Sequence, residues 1–178
     1  MNGTETIRVL FVDDEENILR SLKRLVLDEE WSVLTATSGA EGLAVLRKDG
    51  PVAVIISDQK MPGLSGTEFL AQTRELSPES QRLILTGYAD IHVAVAAINE
   101  GGVHRYLTKP WKDQDLLQCL RDSVERYTLR QENRALSDLA RRQNEELKEW
   151  NAKLKKRVLE QTANIRQKND ALSEVNDR

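Results

Sequence analysis

Residues 7–14 read IRVLFVDD, an apolar run broken only by Arg8 and ended by two adjacent acids. A Val/Ile/Leu run without polar alternation is the pattern of a strand buried on both faces. Working outward, similar runs recur at Val33–Ala36, Val52–Ile56, Leu83–Leu85 and Val103–Leu107. Helical periodicities lie between them. Ile18, Leu22, Leu25 and Val26 form one stripe. Leu43 and Leu46 form a second, opened by Ser38-Gly-Ala-Glu41 at capping-box spacing. Ser65-Gly-Thr-Glu68 opens a third, with Phe69, Leu70, Thr73 and Leu76 inward. Asp90 is placed to cap a fourth, with Val93, Ala94, Ala97 and Ile98 inward and Gly101-Gly102 closing it. After Pro110 a fifth carries Leu116, Leu117, Leu120 and Val124. Strands alternating with helices in this way predict an α/β fold over residues 5–128, a doubly wound (βα)5 parallel sheet with helices on both faces.

Charge separates this region from the rest. Residues 1–128 hold 14 Lys/Arg against 20 Asp/Glu, whereas residues 129–178 hold 12 against 9 and contain neither Gly nor Pro. No run of about 18 apolar residues is present, so a membrane span is not expected. The N-terminus lacks the basic and apolar regions of a secretory signal. A single cysteine, Cys119, excludes a disulfide framework and a thiolate metal cage. A reducing, cytoplasmic setting is the expectation.

From Asp113 to Arg178 nothing forces a helix to break. Apolar or core-tolerated residues fall at Leu136, Leu139, Gln143, Leu147, Trp150, Leu154, Val158, Gln161, Ile165, Lys168, Leu172 and Val175. Their gaps describe two 11-residue steps followed by heptads, a seam that runs nearly straight and then supercoils left-handed. One helix cannot bury so thin a stripe against itself. Residues 129–178 are therefore expected to form a dimeric coiled coil continuous with the fifth helix, a homodimer interface, against the alternative of a charged disordered tail.

Chemistry is sought outside the carboxyl ends of the strands, where open parallel sheets place their sites. There stand Asp13 and Asp14 after the first strand, Asp58 after the third, Thr86-Gly87 after the fourth and Thr108-Lys109-Pro110 after the fifth. Three clustered carboxylates raise one another's pKa unless a cation intervenes. Mg2+ fits, because it takes one or two carboxylates and completes its shell with water and phosphate oxygens. Lys109 and Thr86 supply a point charge and a hydroxyl donor for phosphoryl oxygens. Asp58 stands alone on the central strand and is the candidate nucleophile for an aspartyl phosphate, whereas the adjacent pair Asp13-Asp14 suits a metal.

At these residues the sequence resembles the receiver domain of two-component response regulators. The matching stretches are VDDEEN (12–17), SDQKMPGLSG (57–66), LTGYAD (85–90) and YLTKPW (106–111), in the family's order. The resemblance implies a flavodoxin-like strand order 2-1-3-4-5. It implies Asp58 as phosphoacceptor, Asp14 as direct Mg2+ ligand with Asp13 acting through water, and the backbone carbonyl of Lys60 as a further ligand. Thr86 matches the switch hydroxyl, Tyr106 the aromatic that turns inward with it, and Lys109 the phosphate-binding lysine, with Lys109–Pro110 cis. The implied partner is a sensor histidine kinase or phosphotransfer protein. The receiver itself is then a phosphoacceptor and not an enzyme. Receivers with the wording TGYAD and RYLTKPW resemble those that precede cyclic-dinucleotide synthase, phosphodiesterase or phosphatase outputs. Gly87, where the family often has Ala, and the long cation of Lys60 are expected to tune the lifetime of the phosphorylated state.

Two other readings compete. A Mg2+-dependent phosphatase of related topology has two Asp separated by one residue after the first strand, unlike the adjacent pair here. A coiled-coil adaptor with an inert receiver-like scaffold would not need Asp58, Thr86 and Lys109 together. His92 and His104 lack ligand-spaced partners and read as exposed or structural, and Cys119 as a small buried hydrophobe. Trp31 and Trp111 read as edge packing. Trp150 is bulky for a tight dimer core and marks a local widening or docking spot. The basic run Lys153–Arg157 is short, interrupted by Leu154, and flanked by Glu145, Glu146, Glu149 and Glu160. That pattern fits a solvated coil flank better than a nucleic-acid reader.

Overall fold

The computed structural model describes residues 6–87, 90–99 and 102–176, with side chains through Asn169 apart from that of Asn99. Its elements are β1 (Ile7–Val12), α1 (Glu16–Leu25), β2 (Trp31–Ala36), α2 (Gly39–Asp49), β3 (Val54–Asp58), α3 (Gly66–Leu76), β4 (Gln81–Thr86), α4 (Ile91–Asn99), β5 (Arg105–Thr108) and α5 (Asp113–Asn176). All strand pairs are parallel, in the order β2-β1-β3-β4-β5. The order reverses beside β1, so the ends of β1 and β3 lie at the topological switch point.

Within the continuous apolar runs, successive residues serve opposite faces. Val9, Phe11, Ile56, Leu83 and Leu85 pack with Leu19 and Leu22 of α1 and Leu116 and Leu120 of α5. Leu10, Val12, Ile55 and Ile84 pack with Leu43 and Leu46 of α2, Phe69 and Leu70 of α3, and Ala94 of α4. Each buried side chain of this size contributes about 1.5–3 kcal/mol of burial free energy, and these two layers hold the sheet.

Several local expectations change. Leu19, absent from the expected stripe of α1, is buried with Leu22, while Ile18 and Leu25 are only partly covered. Val93 is exposed on α4 instead of facing inward. β2 and β5 are half-buried, because edge strands are paired on one side only. Ser65 and Glu68 form the complete capping box of α3. On α2 Ser38 caps the helix, but Glu41 turns to the Thr37 backbone N–H and hydroxyl. Tyr88, Ala89 and Gly101 lie outside the described residues.

The chain divides into a unit ending at Gln131 and one beginning at Glu132. In the second unit every described side chain, through Asn169, is exposed, including Leu136, Leu139, Gln143, Leu147, Trp150, Leu154, Val158, Gln161 and Ile165. The side chains of Leu172 and Val175 lie outside those described. No helix among the described residues is long and apolar enough to cross a membrane.

Candidate functional site

β1 delivers Asp13 to the carboxyl edge of the sheet, where it is fully buried. One of its oxygens accepts the Glu15 backbone N–H at 2.9 Å, which turns the chain into α1. Glu15, the N-cap residue of α1, makes no side-chain capping bond. β3 delivers Asp58, also buried. Gly66 makes this position possible, since a Cβ there would run into the Asp58 backbone carbonyl. The absence of a side chain lets the start of α3 sit directly against the end of β3.

Lys109 comes from the end of β5, where its peptide bond to Pro110 is cis. Its backbone N–H donates to the Thr86 carbonyl at 2.8 Å. Its ammonium lies between two carboxylates, 2.8 Å from Asp13 Oδ2 and 2.5 Å from Asp58 Oδ1. The other Asp58 oxygen accepts the Lys60 backbone N–H at 2.8 Å.

The protonation equilibria follow from this packing. Burial pushes the Asp58 carboxyl above its ordinary value, and the Asp13 charge adds to the rise, against the opposing pull of Lys109 and the Lys60 N–H. Burial alone would lower the Lys109 ammonium, but hydrogen bonds and charges from Asp13 and Asp58 outweigh it and hold the group above its ordinary value. The two directions have different causes: burial raises Asp58 against the pull of Lys109, whereas the two carboxylates raise Lys109 against burial.

Other expected residues stand apart from this triad. Asp14 is exposed beside Asp13. Thr86 is fully buried, and its hydroxyl donates to the Gly87 carbonyl at 3.2 Å. Tyr106 on β5 is 37% exposed, which places its ring at the surface. A Cβ at Gly87 would meet nothing within 4 Å, so the space next to Thr86 is open. His104 is structural: its Nδ1 accepts the Arg82 backbone N–H at 3.0 Å. Asp90, read from sequence as a helix cap, places its carboxylate 3.0 Å from the Lys60 ammonium. No spacing rule links residues 60 and 90, and only the fold brings them together.

Among the described residues no three His, Cys, Asp or Glu side chains form a ready-made metal group. The Lys109 ammonium occupies the gap between Asp13 and Asp58, and Asp14 faces solvent. The donor chemistry nevertheless suits a hard divalent ion. Asp13, Asp14 and Asp58 offer only oxygen ligands and bring three negative charges against the one positive charge of Lys109.

The family profile described as response regulator receiver domain matches residues 9–121. The hydrogenase transcriptional regulatory protein HoxA of Cupriavidus necator is 45% identical over 117 residues, which is 66% of this chain and 24% of HoxA. Among solved structures, one titled adenylate cyclase from Rhodopirellula baltica has a TM-score of 0.70 at 38% identity, covering 74% of this chain and 97% of that one. The signal receiver domain of an HD domain-containing protein from Pseudomonas fluorescens Pf-5 has a TM-score of 0.67 at 33% identity, covering 74% and 96%. The chain spans about a quarter of the length of the curated regulators it matches.

Proposed function

Since this chain belongs to the response regulator receiver domain family, we propose that Asp58 accepts a phosphoryl group from a phosphohistidine of a sensor kinase or phosphotransfer protein. The observation that carries this reading is the half-buried ammonium of Lys109 held jointly by Asp13 and Asp58. A carboxylate raised by burial and under-neutralised by its surroundings is a competent nucleophile. One Asp58 oxygen attacks phosphorus, the new O–P bond forms, and the P–N bond to the donor imidazole breaks. The Lys60 backbone N–H orients the carboxylate, and Lys109 passes from the carboxylate to a phosphoryl oxygen as charge moves there. Asp13, Asp14, Asp58 and the Lys60 backbone carbonyl would hold Mg2+, which when bound neutralises charge on the phosphoryl oxygens.

Thr86 then exchanges its contact with the Gly87 carbonyl for a phosphoryl oxygen, and Tyr106 turns inward into the space vacated. The face built from α4, β5 and the start of α5 repacks. The seam from Leu136 to Val175 joins two copies of the chain in a coiled coil and carries the repacking onward to an output region. The exposed apolar residues Leu139, Leu147, Trp150, Leu154 and Val158 support that pairing, because a lone helix gains nothing by displaying them to water.

Incubation with acetyl phosphate and Mg2+ is expected to add one phosphate by intact mass, and Asp58→Asn to add none. Absence of the adduct in the parent chain refutes the reading, and continuous turnover would favour a phosphatase. For the coil, the solution mass is expected to be that of a dimer, with Leu154→Lys a monomer. Cysteines at Leu147→Cys or Leu154→Cys are expected to cross-link differently with beryllofluoride. A monomeric parent chain would reject the seam.

A further inference from the structure

Gln59 directly follows the acceptor, is only 8% exposed, and has no part in the chemistry above. Its polar groups join three elements. Its backbone N–H donates to the Leu85 carbonyl of β4 at 2.9 Å, and its backbone carbonyl accepts the Gly66 N–H at 3.0 Å. Its side-chain Oε1 accepts the Thr67 N–H at 3.2 Å. Gly66 and Thr67 open α3, and N–H groups in a first helical turn find no partner within the helix. The third N–H, that of Glu68, goes to the Ser65 hydroxyl. One residue thus accepts from the first two N–H groups of α3, once through its backbone and once through its side chain.

The Gln59 carbonyl and the Lys60 N–H belong to one planar peptide unit. That unit is held at both ends, its oxygen by Gly66 and its N–H by an Asp58 carboxylate oxygen at 2.8 Å. The orientation of the carboxylate therefore depends on how firmly this unit is tied to α3. A single bond from Gly66 leaves the start of α3 free to tilt about it. The second bond, through the Gln59 amide, removes that freedom. The next carbonyl along the chain is that of Lys60. Resting on the proposed roles of Asp58 and of that carbonyl, we infer that Gln59 is a positioning residue of the phosphorylation site: its buried amide ties the acceptor loop to the first turn of α3, and so aims both the Asp58 carboxylate and the Lys60 carbonyl offered to Mg2+.

Gln59→Met keeps the length of the side chain and removes the acceptor. Ser65→Ala, which removes the cap of Glu68 at the other end of the same loop, separates positioning from helix capping. Mg2+ binding to the unphosphorylated chain is measured by calorimetric titration, and the Mg2+ dependence of labelling by acetyl phosphate is followed by intact mass. Gln59→Met is expected to weaken Mg2+ binding about tenfold, the lower end of the loss when a group that orients a metal ligand is removed. The Mg2+ concentration for half-maximal labelling rises by the same factor, while the labelling rate at saturating Mg2+ stays near that of the parent. Ser65→Ala is expected to lower the thermal midpoint and leave both Mg2+ readouts unchanged. Gln59→Glu, which keeps an acceptor for the Thr67 N–H, retains the slow hydrogen exchange of the Thr67 and Lys60 amides that Gln59→Met loses. A labelled parent whose Gln59→Met variant binds Mg2+ as the parent does, or whose Gln59→Met and Ser65→Ala variants lose affinity equally, overturns this assignment and leaves the acceptor role standing. A parent that takes up no phosphate at position 58 overturns both.

Discussion

Two cations stand at opposite edges of one sheet, half-buried Lys109 at the carboxyl edge and buried Arg82 near the start of β4, and they are held in contrasting ways. Lys109 contacts two carboxylates. Arg82, only 3% exposed, directs its guanidinium to the Thr73 hydroxyl and to the carbonyls of Ser77, Pro78 and Ser80, all at 3.0–3.2 Å. Burial, helped by the nearby charge of Arg74, holds Arg82 below its ordinary value. Four of its five N–H donors meet neutral acceptors, and so it closes the turn between α3 and β4. The Lys109 triad is the reverse, with excess negative charge in a site open at Gly87. A cation held mainly by neutral acceptors marks scaffold, whereas a site with unbalanced charge marks chemistry.

The largest effect that tests this contrast is on stability. Arg82→Ala strips partners from three carbonyls and a hydroxyl and is expected to cost about 3 kcal/mol or more, readable as a lower midpoint of thermal unfolding. Phosphate uptake of the remaining folded chain, measured well below that midpoint, is expected to be unchanged. Loss of uptake in folded protein would erase the distinction between the two edges. Gly66→Ala joins fold and site: its Cβ collides with the Asp58 carbonyl, so a cost of about 2 kcal/mol and loss of labelling are expected together.

Asp58→Asn is expected to act with the opposite sign. Its raised carboxyl means that the ionised form is disfavoured in the fold, so stability is present below the ordinary pKa and is lost as pH rises through the folded value. Removing the charge is expected to stabilise by about 1 kcal/mol at neutral pH while abolishing labelling. A lower midpoint in guanidinium unfolding would show Asp58 to be a structural partner of Lys109.

The smallest effect belongs to His104, beside Arg82. Burial, and then the charges of Arg82, Arg130 and Arg126, hold the imidazole below its ordinary value of 6.5. A depressed group contributes stability above the unfolded pKa and loses it as pH falls through the folded one. Unfolding free energy is therefore expected to fall as pH drops below about 6.5, and His104→Gln to flatten that slope. An unchanged slope would remove His104 from the account of this edge.

Legibility tracked the range of the interactions. Runs such as Ile7–Val12 and the Ser65/Glu68 box declared their elements because strand burial and helix capping act over a few residues. Residues at strand ends were legible as site candidates for a topological reason: parallel strands deliver their carboxyl ends to one edge. Which of them touch was not legible. Asp14 and Asp13 are neighbours in sequence, yet one is exposed and the other buried. Val93 turns outward on α4, where a short apolar helix offers more than one inner face.

The order of apolar and polar residues by itself determined a parallel α/β domain, its edge of acids, hydroxyl and ammonium, and a helix beyond it with an uncovered stripe. Such features depend on local backbone preference and on periodic burial, both carried by contiguous residues. Tertiary structure alone decided that Lys109 bridges Asp13 and Asp58, that Arg82 is satisfied by carbonyls, and that Lys60 meets Asp90. Those contacts join residues far apart along the chain, and their energies exist only once the sheet has brought the strand ends and their loops within hydrogen-bonding distance.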